Sequence, residues 1–320
     1  MKAARLGSSG PRMSRLTLGT MMFGKMINDK EADRIVSLAL ENGINAIDTA
    51  GTYNNGRSEI MTGKAISGKR DSVILASKVG YPLSGGIEKV DLSAKAVREA
   101  TEASLRRLGT DYLDILYLHA PDRSTPPGET LEAADKLIKS GKVRYLGISN
   151  YPAWEITQLM WCAEKNGFEE LSITQNIYNV LSRRAESELV PCAEHFGLEM
   201  TVYNPLAGGL LTGKYSGGRL TGRLGWSDMY RNRFLNDDNL AAAGELEKIA
   251  QANNMSIIEL ADRWCLSKDF VSSMLIGVSS CEQFEKNLAY CSFEGLSEDI
   301  TACCDRQWEK LRGTAPDYAR

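Results

Sequence analysis

Short aliphatic and β-branched runs recur along the chain at 17–22, 45–50, 73–79, 112–119, 142–150, 171–177, 198–204 and 272–278. Between them lie amphipathic segments whose apolar residues fall three and four apart. In 31–42, Ile35, Leu38 and Ala39 share one face; in 93–108, Val97, Ala100, Leu105 and Leu108 do. Segments 129–140, 153–166, 185–196 and 257–268 repeat the pattern. Strands alternating with helices of this length predict βαβ units and a parallel sheet. Eight strands of nearly unbroken apolar character suit a sheet buried by helices and closed on itself, an α/β fold of the (β/α)8 TIM-barrel type. An open doubly wound sheet would announce itself with Gly-x-Gly-x-x-Gly after its first strand. Here that strand runs into Gly19-Thr20-Met21-Met22-Phe23-Gly24, which lacks the motif.

No linker or low-complexity tract divides the chain, so 1–320 is expected to be a single barrel domain. One stretch, 204–236, reads as a long irregular substrate or cofactor loop after the seventh strand. Its glycines are Gly208, Gly209, Gly213, Gly217, Gly218, Gly222 and Gly225. The first 15 residues are expected to form a hairpin or cap, and the C-terminus a helical segment. Composition changes little: 43% hydrophobic and 25% charged is ordinary for a globular chain. A net charge of -3 offers no electrostatic footprint for nucleic acid or an anionic membrane surface. The sequence shows neither a signal-peptide run nor a membrane-spanning one. Seven cysteines, scattered without metal-ligand spacing, are expected to be reduced thiols in a cytoplasmic protein with no metal.

Candidate chemistry sits where such barrels carry it, at the carboxyl ends of the strands. Asp48, Lys78, His119, Asn150, Gln175 and Tyr203 each terminate an apolar run. One polar strand end is a capping group, but six aimed at one mouth form a site. Tyr53, five residues past Asp48, can fold back over that mouth. A tyrosine donating a proton near neutral pH needs its pKa of about 10 lowered, and a lysine ammonium within reach is expected to lower it. Asp48 would hold Lys78 charged, and His119 would orient a carbonyl or relay a proton. The other histidine, His195, reads as a helix-end or surface residue. Tyr203 offers a stacking face for a nicotinamide, and Asn150 and Gln175 offer donor–acceptor pairs for its carboxamide. Gly277-Val278-Ser279-Ser280 ends a strand and opens a helix, a geometry that suits phosphate.

With these residues laid out, the chain resembles the aldo-keto reductase superfamily over essentially its whole length. Asp48-Thr49-Ala50 with Tyr53, Ser77-Lys78 and Leu118-His119 match its four catalytic positions. Gly147-Ile148-Ser149-Asn150 and Gln175 match its carboxamide-binding positions, and Tyr203 its stacking aromatic. A narrower resemblance, to the aflatoxin-aldehyde and succinic-semialdehyde reductase branch, rests on YLHAPDRSTP (117–126), YNPLAGGLLTGKY (203–215), MYRNRF (229–234) and GVSSCEQFEKN (277–287). The resemblance implies an NADP(H)-dependent reductase of aldehydes or ketones, with Asp48, Tyr53, Lys78 and His119 catalytic. It implies cofactor contacts from Gly19, Thr20, Met21, Asp48, Ser149, Asn150, Gln175 and Tyr203. The loop beyond would add Asn204, Pro205, Leu206, Gly208, Gly209, Leu210, Gly213 and Lys214, and the last strand and helix Gly277, Ser279, Ser280, Gln283 and Asn287. Tyr53, His119, Tyr230 and Arg233 would meet a small carbonyl substrate, and an arginine fork suits a carboxylate on it. Loop anchoring is the other reading for Arg231 and Arg233.

Val278-Ser279-Ser280 stands where many members grip a 2′-phosphate with Arg or Lys. Lys214 or Arg223 would have to supply that charge, so NADPH is favoured and NADH stays open. Gly51-Thr52-Tyr53-Asn54-Asn55 keeps the tyrosine's spacing but not its common neighbours. Two other readings keep the barrel: an aldolase using Lys78 as a Schiff-base nucleophile, and a slow-turnover, cofactor-sensing subunit of a larger assembly. Monomer and homodimer are both compatible with the sequence.

Overall fold

The computed structural model describes residues 4–7, 10–84, 89–214, 222–291 and 295–314. Gly217 and Gly218 lie outside them. Eight parallel strands close into a barrel in which the last pairs with the first. They are β1 (Leu16–Gly19), β2 (Ala46–Asp48), β3 (Ile74–Val79), β4 (Leu113–Leu118), β5 (Val143–Ser149), β6 (Leu171–Ile177), β7 (Glu199–Tyr203) and β8 (Ser273–Gly277). The surrounding helices include α1 (Asp29–Glu41), α2 (Arg57–Ala65), α3 (Ala94–Leu108), α4 (Pro127–Lys139), α5 (Ala153–Asn166) and α6 (Leu189–His195). After β7 come α7 (Gly222–Trp226), α8 (Asp228–Phe234), α9 (Asp237–Ala252) and α10 (Ile257–Leu266); α11 (Cys281–Cys291) and α12 (Glu298–Arg312) follow β8. The starts of α1, α3, α9, α10 and α12 are capped by Asn28, Ser93, Asn236, Ser256 and Ser297, whose side chains accept from free backbone N–H groups.

The core has two layers. Outward-facing strand residues such as Leu18, Ile47, Leu75 and Leu116 pack under the helices. Inward-facing Ala46, Ile74, Ala76, Ile115, Tyr117 and Ile173 fill the barrel's interior. The expected N-terminal cap is a hairpin, Ala4–Arg5 paired antiparallel with Arg12–Met13. It drives Leu6, 0% exposed, and Met13, 1% exposed, into that interior cluster. Gly147 on β5 is a packing requirement: a Cβ there would meet the Tyr117 ring at 2.6 Å and Ile173 at 2.9 Å.

The interior layer explains the site's position. Side chains alternate along a strand with period two. Two residues beyond Ala46, Ala76, Tyr117, Ile173 and Thr201 come Asp48, Lys78, His119, Gln175 and Tyr203. Each interior line therefore ends in a polar residue at the same mouth. Gln175 lies two residues before the end of β6 rather than at its tip.

The stretch 204–236 departs from the expected irregular loop. It carries a 3-10 segment at Ala207–Thr212 and the helices α7 and α8. Leu210, Leu211, Leu224, Tyr230 and Phe234 are buried beneath it, and the Tyr230 and Phe234 rings stack 6.3 Å apart. Gly208, at φ +66°, is closed in by these rings: a Cβ would meet Tyr230 at 2.8 Å and Phe234 at 2.9 Å. Gly208 thus permits close packing instead of looseness. His195 is exposed at the end of α6, as expected.

Candidate active site

Lys78 organises the barrel mouth. It is buried, and its ammonium donates to Asp48 Oδ1, to the Thr49 carbonyl at 3.0 Å and to the Tyr53 hydroxyl at 3.1 Å. An ammonium has three N–H bonds, so this set saturates it. The second carboxylate oxygen of Asp48 accepts from Gln175 Nε2 at 2.8 Å. Breaking such a buried pair by removing one partner leaves an uncompensated charge, a cost of ~3–5 kcal/mol. Tyr53 is aimed by its own loop. Asn54 takes a left-handed conformation, φ 51°, and donates to the Met21 and Phe23 carbonyls at 2.9 and 2.8 Å. Beneath it Thr20, Ser58 and Thr49 join their hydroxyls at 2.8 and 3.0 Å, tying the ends of β1 and β2 to α2.

The electrostatics differ from the sequence expectation in one respect. Lys78 does pull the Tyr53 pKa down, but burial and the Asp48 charge outweigh it, and the net shift is upward. Tyr53 is therefore held as a phenol with its proton in place. The Lys78 pKa also rises: burial opposes its charge, and Asp48 and Tyr53 more than restore it. His119 falls well below its ordinary value, through burial first and the Lys78 charge second, so the imidazole is neutral at pH 7. Its ring meets Tyr53 edge-on at 6.2 Å between centroids and Tyr81 at 4.9 Å.

Beside this cluster lies a platform. Tyr203 donates to Asn150 Oδ1 at 2.6 Å, and Asn150 Nδ2 donates to the His119 carbonyl and to Ser149 Oγ, both at 3.0 Å. Asn150 and Asn204 follow their strands with φ of 65° and 58°, a conformation asparagine tolerates better than most side chains. Burial pushes the Tyr203 hydroxyl up to about 12, against the opposing charge of Arg233.

These groups open into one cavity of about 500 Å³, within the range of small-molecule sites. It is walled by Gly19, Thr20, Met21, Asp48, Tyr53, His119, Ser149, Asn150, Gln175 and Tyr203. The wall continues through Asn204, Pro205, Leu206, Gly208, Gly209, Lys214, Gly277, Ser279, Gln283, Asn287, Tyr230 and Arg233. Four residues singled out from the sequence stand off it. Lys78 sits behind Asp48 and Tyr53. Leu210 is turned into the core at 2% exposure. Gly213 closes the 3-10 segment at φ 73°, and Ser280 Oγ accepts from Gln283 N at 3.2 Å at the start of α11.

Sequence reasoning missed Tyr81, Met26, Trp226, Met229 and Asp262, which also line the cavity. Tyr81 had a usable signal: it stands in the loop after β3 as Tyr53 stands in the loop after β2. Met26, Trp226 and Met229 are exposed and give the mouth an apolar rim, with Lys25 Nζ over the Trp226 ring at 3.4 Å from its centroid. The two arginines of α8 divide the readings between them. Arg231 anchors the segment through Asp228 and the Gly225 carbonyl, whereas Arg233 faces the cavity beside Tyr81 and Tyr203.

A closed parallel barrel with its polar groups gathered at the carboxyl ends of its strands is the architecture of a barrel enzyme. Comparison with known proteins gives it a family. Residues 15–309 match the model of the Aldo/keto reductase family, and the chain belongs to that family. Aflatoxin B1 aldehyde reductase member 2 of Mus musculus is 35% identical, the alignment covering 99% of this chain and 90% of that protein. The human aldo-keto reductase family 7 member A3 is 35% identical over 95% of this chain and 96% of its own length. A probable voltage-gated potassium channel subunit beta of Arabidopsis thaliana is also 35% identical, over 90% of each chain. The protein is thus an oxidoreductase of the aldehyde- and ketone-reducing kind. No helix among the described residues is long and apolar enough to cross a membrane.

Proposed function

We propose that the protein reduces an aldehyde or ketone to an alcohol at the expense of NADPH, with Tyr53 as the proton donor. The observation that carries this reading is the saturated Lys78 ammonium, bonded at once to Asp48, Thr49 and the Tyr53 hydroxyl. The cavity fits a nicotinamide dinucleotide in its donor set: an aromatic platform at Tyr203, amides at Asn150 and Gln175, and the cations Lys214 and Arg223. Two buried polar atoms in its wall, Asn204 Nδ2 and Asp262 Oδ1, also have no hydrogen-bond partner among the described residues. When bound, the reduced nicotinamide supplies the hydride to the carbonyl carbon.

Everything else falls to the chain's own residues. Tyr53 gives its proton to the carbonyl oxygen, and the phenolate left behind faces the Lys78 ammonium, which stabilises it. Asp48 keeps Lys78 charged and oriented. The neutral His119, fixed against Tyr53 and Tyr81, orients the oxygen by a hydrogen bond. Arg233 stands where a carboxylate on the substrate would be gripped, and Met26, Trp226 and Met229 cover an apolar body. An ammonium with three acceptors is no amine nucleophile, so the Schiff-base reading of Lys78 finds no support. Seven unpaired cysteines suit a reducing, cytoplasmic setting.

The test is Tyr53→Phe. Carbonyl reduction should fall by ~10²–10⁴-fold, the usual worth of a positioned general acid. The Kd for NADPH, read by quenching of intrinsic fluorescence, should stay within about 3-fold of the parent, because the hydroxyl adds only about one hydrogen bond's worth of binding at most. Turnover at the parental rate by the purified variant would overturn the assignment.

A further inference from the structure

Past the Tyr203 platform the cavity is walled by α10 and α11, through Asp262 on the first and Gln283 and Asn287 on the second. Asp262 is 2% exposed. Among the described residues its buried Oδ1 has no hydrogen-bond partner and its carboxyl no ion pair. Burial pushes its pKa up to about 8, which leaves it a neutral acid at pH 7. The titratable groups facing it are thiols, Cys265 one turn along α10 and Cys291 on α11, and burial keeps both protonated. Arg15 and Lys268 bear on Cys265 and not on Asp262.

A buried carboxyl oxygen with no partner costs stability, and such a group calls for an explanation in terms of what completes it. A protonated carboxyl presents an O–H donor and a C=O acceptor side by side. Asn287, 3% exposed, adds an amide from the facing helix. Both side chains line the same cavity. The donor and acceptor of the one carboxyl complement a heteroaromatic base bearing an amino group next to a ring nitrogen.

We infer that Asp262 is the hydrogen-bonding anchor for the adenine base of the dinucleotide, reading its amino group and an adjacent ring nitrogen. This rests on the NADPH reading above and assigns the end of the ligand remote from the chemistry.

The test compares NADPH with reduced nicotinamide mononucleotide, which lacks the adenosine half, by fluorescence titration of the intact protein and two variants. Asp262→Leu should weaken NADPH about 10-fold, the worth of one to two neutral hydrogen bonds, and leave the mononucleotide unchanged. Asp262→Asn, which keeps a donor and an acceptor without charge, should bind NADPH within about 2-fold of the parent, since both hydrogen bonds are kept. Asp262→Leu should melt at or above the parental temperature, since it removes a buried polar group whose Oδ1 has no partner among the described residues, and Asp262→Asn, which keeps a neutral polar group there, near the parental temperature. An unchanged NADPH affinity in Asp262→Leu, or equal weakening of both ligands, would overturn the inference while leaving the NADPH reading intact. A parent protein that bound neither ligand would instead refute the NADPH reading, and the inference with it.

Discussion

At the scale of single residues, the balance of burial against charge decides what each group can do. Lys78 alone would turn Tyr53 towards phenolate, but Asp48 cancels much of that influence and burial does the rest. The outcome suits the proposed reduction, in which Tyr53 would keep its proton until a carbonyl oxygen begins to carry charge. His119, neutral through burial and the Lys78 charge, has no ionisation of its own near neutral pH. The pH profile of kcat/KM for carbonyl reduction should therefore be flat from about pH 6 to 9. That window lies above the depressed His119 value and below the raised Tyr53 value. An inflection near 6.5 in a steady-state profile would show His119 titrating and contradict its neutral role. Asp48, Lys78, His119, Gln175 and Tyr203 were legible in the sequence because the period-two line of an interior strand ends in each of them. The direction of the Tyr53 shift was not, because it depends on how fully the phenol and its two charged neighbours are desolvated together.

Elements show where pattern reading succeeds and where it stops. The eight strands stand within a few residues of their apolar runs, since parallel strands buried on both faces write nearly continuous hydrophobic text. Helix α2 escaped, and its burial says why: Ser58, Glu59 and Thr62 are among its buried residues, so the apolar stripe is broken by polar groups, two of which, Ser58 and Glu59, find partners inside. Glu59, for one, accepts from Ser77 Oγ and Arg107 Nε, each at 2.6 Å. Helices α7 and α8 escaped because surrounding glycines read as a loop, although Leu224, Tyr230 and Phe234 were available to bury. That segment delivers Arg233 to the cavity, with Arg231 fastening its other side. Arg233→Met should raise KM for carboxylate-bearing aldehydes by ~10–100-fold, the worth of a charge-assisted hydrogen-bond pair. Neutral aldehydes, which make no such bond, should stay within about 3-fold. Equal losses for both classes in the same steady-state comparison would show that Arg233 only supports the segment.

For the whole molecule, the barrel's two cores separate stability from chemistry. The layer under the helices and the interior cluster plugged by Leu6 and Met13 hold the frame, and the mouth carries polar groups that the frame keeps desolvated. One cavity runs from the Tyr53–His119 cluster past Tyr203 to Asp262 and Asn287, so the proposed reaction centre and dinucleotide site would be parts of a single surface. The family's relatives include aldehyde reductases and a channel subunit, which makes turnover itself the deciding property. The measurement is multiple-turnover oxidation of NADPH by the purified protein with a panel of aldehydes and ketones, paired with detection of the alcohol. The account predicts one alcohol formed per NADPH oxidised over many cycles, with carboxylate-bearing aldehydes favoured. Tight NADPH binding with no carbonyl turned over beyond a single equivalent would contradict it and point to a cofactor-sensing subunit instead.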